Sequence, residues 1–208
     1  MIVTRATDLV VAFDGRRVLD GVSIAVEQGE QVALTGRSGS GKTTLLLVLS
    51  GLLAPTSGTV EIAVPQREVL YVPQAPSLVP ELTALENTAL SLRLRGVQPA
   101  VAQDRARDEL ELLGLSDVLD ALPAELSGGM QQRVALARAT VVAPKVLLTD
   151  EPTGTLDHQT GTHVLGVLRD LATRNGTALV VATHDPDVAA QLRRQVALVD
   201  GRSAEVVA

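Results

Sequence analysis

Gly36-Arg37-Ser38-Gly39-Ser40-Gly41-Lys42-Thr43 follows the apolar run Val32-Ala33-Leu34 and leads into Thr44 to Leu49, a second apolar stretch with helical character. The eight residues match G-x-x-x-x-G-K-[ST] between a buried strand and the opening of a helix, the setting this motif needs to cradle phosphates. Its glycines let the backbone turn amides inward, where unpaired N–H groups and the positive end of a helix dipole attract anions. Lys42 then reaches the outer phosphates as a point charge, and Thr43 offers its hydroxyl to the Mg2+ that accompanies a nucleoside triphosphate. Arg37, Ser38, Gly39, Ser40 and Thr44 complete the cradle. An incidental glycine-rich turn would not need a lysine, yet 42 is one of only two lysine positions in a chain whose 18 basic residues are otherwise arginine.

A second constellation lies downstream, where the apolar run Val146-Leu147-Leu148-Thr149 ends in Asp150-Glu151. A carboxylate at the end of a buried strand beside a phosphate loop is placed to hold Mg2+, the role expected of Asp150. Glu151, one position further out, is placed to polarise a water in line with the terminal phosphate.

The rest of the chain bounds the setting of these motifs. With 208 residues and 46% hydrophobic content it can bury one sizeable core, and with only Phe13 and Tyr71 as aromatics that core is aliphatic. A net charge of −6 with no basic block disfavours a nucleic-acid partner. The lack of cysteine suits a reducing compartment. The longest apolar stretch, Leu45 to Leu53, is broken by Ser50 and Gly51 and falls short of the roughly 20 residues a bilayer span requires. With no signal-peptide pattern at the N-terminus either, the chain is expected to be soluble and to do membrane work only through a partner.

Periodicity gives the elements. Ile2 to Phe13 and Val18 to Val26 read as strands around an Asp14-Gly15 turn, and a short hairpin is expected over Gly58 to Val72. From about Leu82 to Ala139 the Leu-rich pattern, punctuated by Gly96 and Pro99, Gly114 and Pro123, predicts three helices. Strand, helix and strand return over Val146 to Thr149, Thr160 to Thr173 and Ala178 to Thr183. Apolar strands alternating with helices imply an α/β fold with a mostly parallel sheet covered on both faces.

Leu126-Ser127-Gly128-Gly129-Met130-Gln131-Gln132-Arg133 sets these motifs in the order of one family. The chain resembles an ATP-binding cassette ATPase over essentially its whole length. That resemblance implies a P-loop NTPase (RecA-like) core, a small antiparallel β-subdomain, and a helical subdomain at about 75–140 inserted in a single 1–208 domain. It implies ATP and Mg2+ as ligands. It also implies that Ser127, Gly128 and Gly129 contact the terminal phosphate of a nucleotide held by a second copy. The local chemistry agrees, since Ser127 can cap a helix whose two leading glycines expose their amides.

Other positions match singly. Gln74, after Val72-Pro73, is similar to the glutamine that senses Mg2+ and the attacking water; His184 is similar to the switch histidine at the terminal phosphate. Asp157 resembles the aspartate of the loop that crosses the dimer, and Phe13 stands where an aromatic ring stacks on adenine, although a place in the core is the alternative for it. Met130 stands where the family usually has Gln, so a polar contact is either missing or supplied by Gln131. Gly154-Thr155 replaces a common Ser-Ala, and the short link from Val64 to Val69 implies a trimmed β-subdomain. Leu82 to Asn87 and Pro123 to Glu125 resemble the lipoprotein-release, macrolide-efflux and cell-division branch, whose cassettes work with separately encoded permeases. The expected partners are therefore a second ATPase subunit, as a homodimer, and an integral membrane permease. The expected location is cytoplasmic, peripheral on the inner face of the cell membrane. The alternative is a related ATPase that transports nothing and regulates cell division or a soluble assembly complex.

Overall fold

The computed structural model describes residues 1–206. The chain divides into two compact units: Met1–Tyr71, Pro144–Glu151 and the chain from Ala172 onward form the first, and Val72–Ala143 with Pro152–Leu171 form the second. The second unit thus takes in a stretch beyond the 75–140 span expected for the helical part.

In the first unit, β1 (Ile2–Phe13) and β2 (Arg16–Glu27) pair antiparallel, with Phe13 opposite Arg16. Asp14 at φ 48° and Gly15 at φ 80° make the turn, and two consecutive left-handed residues match the twist of a tight hairpin. β4 (Ser57–Ile62) lies antiparallel on the other edge of β1, giving a three-stranded sheet in the order β2-β1-β4.

The larger sheet has six strands. It uses β3 (Gln31–Thr35), β5 (Val69–Val72), β6 (Val146–Asp150), β7 (Ala178–Thr183), β8 (Arg194–Val199) and β9 (Arg202–Val206) in the order β5-β6-β7-β3-β8-β9. β3 pairs parallel with both β7 and β8, β6 pairs parallel with β7, and β8 and β9 run antiparallel. Every residue of β6 and of β7 is buried, as strands covered on both faces must be. Helix α1 (Lys42–Leu49) follows β3 and buries Leu45, Leu46 and Leu49 in an aliphatic core with Val32, Leu34, Leu148 and Val180.

The hairpin expected over Gly58 to Val72 does not form. Its two strands belong to different sheets. Ala63 donates its amide to Val3 O, holding β4 to the small sheet, whereas Glu68 O accepts from the Lys145 amide and draws β5 toward β6. Between them Pro65 and a single 3-10 turn, Gln66–Glu68, carry the chain across. Alternating apolar residues specify a strand but not its partner, and here backbone hydrogen bonding settles the pairing.

The second unit holds α2 (Ala84–Leu94), α3 (Pro99–Leu112), α4 (Gly128–Thr140) and the first part of α5 (His158–Asn175), so the three helices expected between Leu82 and Ala139 are present. Thr83 and Glu86 close a reciprocal capping box at the start of α2, and Pro99 occupies the first turn of α3, where its missing N–H has no partner to lose. β8, β9 and the short helix α6 (Pro186–Ala190) were not anticipated from sequence.

Candidate active site

The phosphate loop joins β3 to α1 in the first unit. A Cβ built on Gly36 would lie 2.5 Å from Leu198 O and 2.6 Å from the Ser40 hydroxyl; one on Gly41 would lie 2.8 Å from Leu19 and 3.0 Å from Val18 O. Glycine is therefore required at both ends of the loop, where β2 and β8 press against it. Gly41 is the N-cap of α1 in a left-handed conformation with no side-chain cap, and the first turn of α1 contains no acid. Its opening amides and the dipole's positive end are left for an anion. Arg37, Ser38 and Gly39 are exposed at the loop tip, and the Ser40 hydroxyl is buried without a partner.

Lys42 is nearly buried. Its Nζ donates to Gly36 O at 2.8 Å and Arg37 O at 3.4 Å, and stands 3.9 Å from Glu151 Oε1. Thr43 remains exposed, yet its hydroxyl donates to Asp150 Oδ2 at 2.5 Å, a short charge-assisted bond between residues on α1 and β6. Asp150 is only 4% exposed. The Tyr71 phenol lies beside it; burial first, then the charge of the Asp150 carboxylate, pushes the phenol up to about 12, so it keeps its proton. Tyr71 was not singled out from sequence, although the chain's one tyrosine stands just before the Val72-Pro73-Gln74 segment.

Glu151 turns away from Asp150. It sits at φ 48°, a left-handed conformation that is costly for glutamate, and its amide is fixed to Ala182 O. The reversal sends its side chain to other partners. Glu151 Oε1 accepts from His184 Nδ1 at 2.8 Å, so the proton on this ring nitrogen faces the carboxylate. The glutamate is largely buried and the histidine largely exposed. Adjacent carboxylates are thus assigned separately, Asp150 to the Thr43 hydroxyl and Glu151 to the His184 ring nitrogen and the Lys42 ammonium. Phe13, at the end of β1, is 49% exposed and does not fill the core.

Gln74, Ser127, Gly128, Gly129 and Asp157 lie in the second unit. Ser127 caps α4, its hydroxyl accepting from the Met130 amide at 3.3 Å. Gly128 faces open space, whereas a Cβ on Gly129 would lie 2.8 Å from Leu156 Cδ2, so Gly129 admits close packing by the loop that carries Asp157. Asp157 Oδ1 accepts from the Thr160 amide at 3.0 Å, and hydrogen bonds from the Thr160 hydroxyl and amide hold its carboxyl below the usual carboxylate range. Arg133, the last residue of the Leu126 to Arg133 stretch, donates to Leu113 O, Gly114 O and Gly129 O and so ties α4 to the end of α3. Beside Met130, Gln131 donates from its amide nitrogen to Pro123 O and Leu126 O. Gln74 is exposed, directly after Pro73.

Among the described residues no group of three or more His, Cys, Asp or Glu could hold a metal ion, and no helix is long and apolar enough to cross a membrane. One carboxylate and one hydroxyl, both hard oxygen donors, fit Mg2+, which takes few protein ligands and completes its shell with phosphates and water. They would not suffice for a metal held by protein alone.

The chain matches a family model described as ABC transporter over residues 19–154. It is 42% identical over 199 residues to the lipoprotein-releasing system ATP-binding protein LolD of Shewanella frigidimarina (strain NCIMB 400), covering 89% of this chain and 83% of that protein. It is 45% identical over 202 residues to an uncharacterized ABC transporter ATP-binding protein, YbbA, of Escherichia coli (strain K12), covering 90% of this chain and 89% of that protein. Among solved structures it is similar to a dimeric ATP-binding cassette in a post-hydrolysis state bound to ADP and Pi, with TM-score 0.90, 31% identity and 99% coverage of both chains.

Proposed function

The chain belongs to the ABC transporter family as an ATP-hydrolysing subunit, and from that premise we propose that two copies close head to tail around ATP and drive a separate membrane permease. The single domain is completed by its helical part, and each nucleotide is held by the phosphate loop of one copy and by Ser127, Gly128 and Gly129 of the other. Asp157 faces its counterpart loop across the pair, and Phe13 stacks on adenine. The subunit works on the inner face of the membrane through its permease, which by likeness to LolD is of the lipoprotein-releasing kind.

The observation that carries this reading is the separate assignment of the two acids: Asp150 on the Thr43 hydroxyl at 2.5 Å, and Glu151 on His184 at 2.8 Å. Thr43 and Asp150, with Gln74, would hold Mg2+, which when bound neutralises charge on the outer phosphates. Glu151 accepts the proton of the attacking water. Lys42 and His184, both now directed at Glu151 Oε1, meet the negative charge that develops on the transferred phosphoryl group. ATP favours the closed pair because its terminal phosphate touches both copies, and hydrolysis removes that differential contact.

The test is Glu151→Gln. It keeps the shape and hydrogen-bonding reach of the side chain but cannot take up a proton, so hydrolysis is expected to fall by about 10²-fold or more while ATP accumulates in a trapped dimer. Hydrolysis at the parental rate would remove Glu151 from the base role.

A further inference from the structure

Two buried side-chain amides hold the segment around Gln74, and they are unequally satisfied. At its far end Asn87, fully buried on α2, accepts from the Val79 amide and donates to Val79 O, Leu82 O and Thr83 O. That clamp has its polar atoms engaged and fixes where the segment returns to the helices. At the near end Gln132, on α4 and 1% exposed, donates from Nε2 to Pro73 O at a stretched 3.5 Å. Its Oε1 is buried with no hydrogen-bond partner. The Pro73 carbonyl fixes which way the amide points, since a flipped amide would set two acceptors against each other.

A half-satisfied amide at this depth is costly, and the adjoining backbone explains what it awaits. Pro73 has no N–H, so the first main-chain donor beyond it belongs to Gln74. We infer that Gln132 is a positioning residue for Gln74: its Oε1 takes a donor from the Gln74 segment when that segment engages the nucleotide, and its Nε2 then draws closer to Pro73 O. Because α4 is one rigid helix opening at Ser127 and Gly129, the same amide ties the glutamine segment to the signature residues. Asn87 is the fixed end of the segment, and Gln132 is the end that adjusts.

The inference rests on the proposed role of Gln74 at Mg2+ and the attacking water, and a double-mutant cycle separates the two. Gln132→Met, Gln74→Ala and the double variant of the full chain are assayed for steady-state ATP hydrolysis, the Mg2+ concentration giving half the maximal rate, and ATP affinity. Gln132→Met keeps the volume and flexibility of the side chain and removes both polar atoms. It is expected to lower kcat about tenfold, the factor corresponding to one buried hydrogen bond, and to raise the Mg2+ requirement severalfold with ATP affinity unchanged within about twofold. In the double variant the loss should equal that of Gln74→Ala alone, because both changes break one linkage. Losses that multiply would assign Gln132 a purely structural role and overturn the inference. So would a silent Gln132→Met beside a damaging Gln74→Ala, which leaves the Gln74 reading standing; a silent Gln74→Ala removes that reading and the inference with it. Should Gln132→Met fail to fold, Gln132→Leu, which likewise removes both polar atoms, enters the same cycle with the same criteria.

Discussion

Replacing Thr43 by Val removes one hydroxyl and almost no volume, and the consequence follows from what that hydroxyl does. It donates at 2.5 Å to Asp150, a carboxylate 4% exposed that the Tyr71 phenol lies beside. A hydrogen bond to a buried charge contributes about 1.5–3 kcal/mol, but Thr43 itself is exposed and water can replace it on that side, so a loss of about 1–2 kcal/mol is expected. For a chain of 208 residues each kcal/mol moves the melting midpoint about 2–4 °C, giving a fall of about 2–8 °C in the nucleotide-free protein. Thr43→Ser, which restores the donor, should recover most of it. Calorimetry of the three proteins without nucleotide reads the structural part, and the Mg2+ dependence of hydrolysis reads the functional part, where Val should demand more Mg2+ and Ser should not. A Val variant that melts with the parent would show that the short Thr43 to Asp150 bond contributes nothing, and the reasoning from its geometry would fail.

Phe13→Ala should weaken ATP binding about fivefold, as loss of one stacking contact does, with little change in kcat at saturation; unchanged affinity by titration calorimetry would remove Phe13 from the adenine site. Tyr71 adds an alkaline signature. A phenol raised from its ordinary value near 10 to about 12 on folding stays protonated in the folded chain while the unfolded chain releases its proton, so stability is present below pH 10 and declines as pH rises from about 10 to about 12. In Tyr71→Phe that decline in melting temperature should flatten; an identical pH profile would mean that Tyr71 is not held beside Asp150.

The local reading of the sequence succeeded where chemistry is local. Val32 to Leu34 and Val146 to Thr149 are buried strands because their apolar runs fit a covered parallel sheet, and the loop between Gly36 and Gly41 needs glycine against neighbours the sequence could not name. Pairing was not legible: β4 and β5 looked like a hairpin, but strand patterns carry no label for which sheet receives them. The final antiparallel pair does carry a sequence signal, for Asp200 at φ 47° and Gly201 at φ 74° form an Asp-Gly turn between β8 and β9. Tyr71 beside Asp150 and the opposed directions of Asp150 and Glu151 depend on tertiary packing and one left-handed residue, neither of which has a sequence signal.

The division of each site between two copies is the central claim, and subunit mixing tests it most directly. One variant, Lys42→Ala, lacks the phosphate-loop cation; another, Ser127→Arg, blocks the signature face, and each alone should be inactive. Mixed in equal amounts, half the pairs are expected to be heterodimers carrying one intact site made of one chain's phosphate loop and the other's signature segment, restoring about a quarter of the parental rate. A mixture as inactive as its components, although the two chains associate, would contradict the claim.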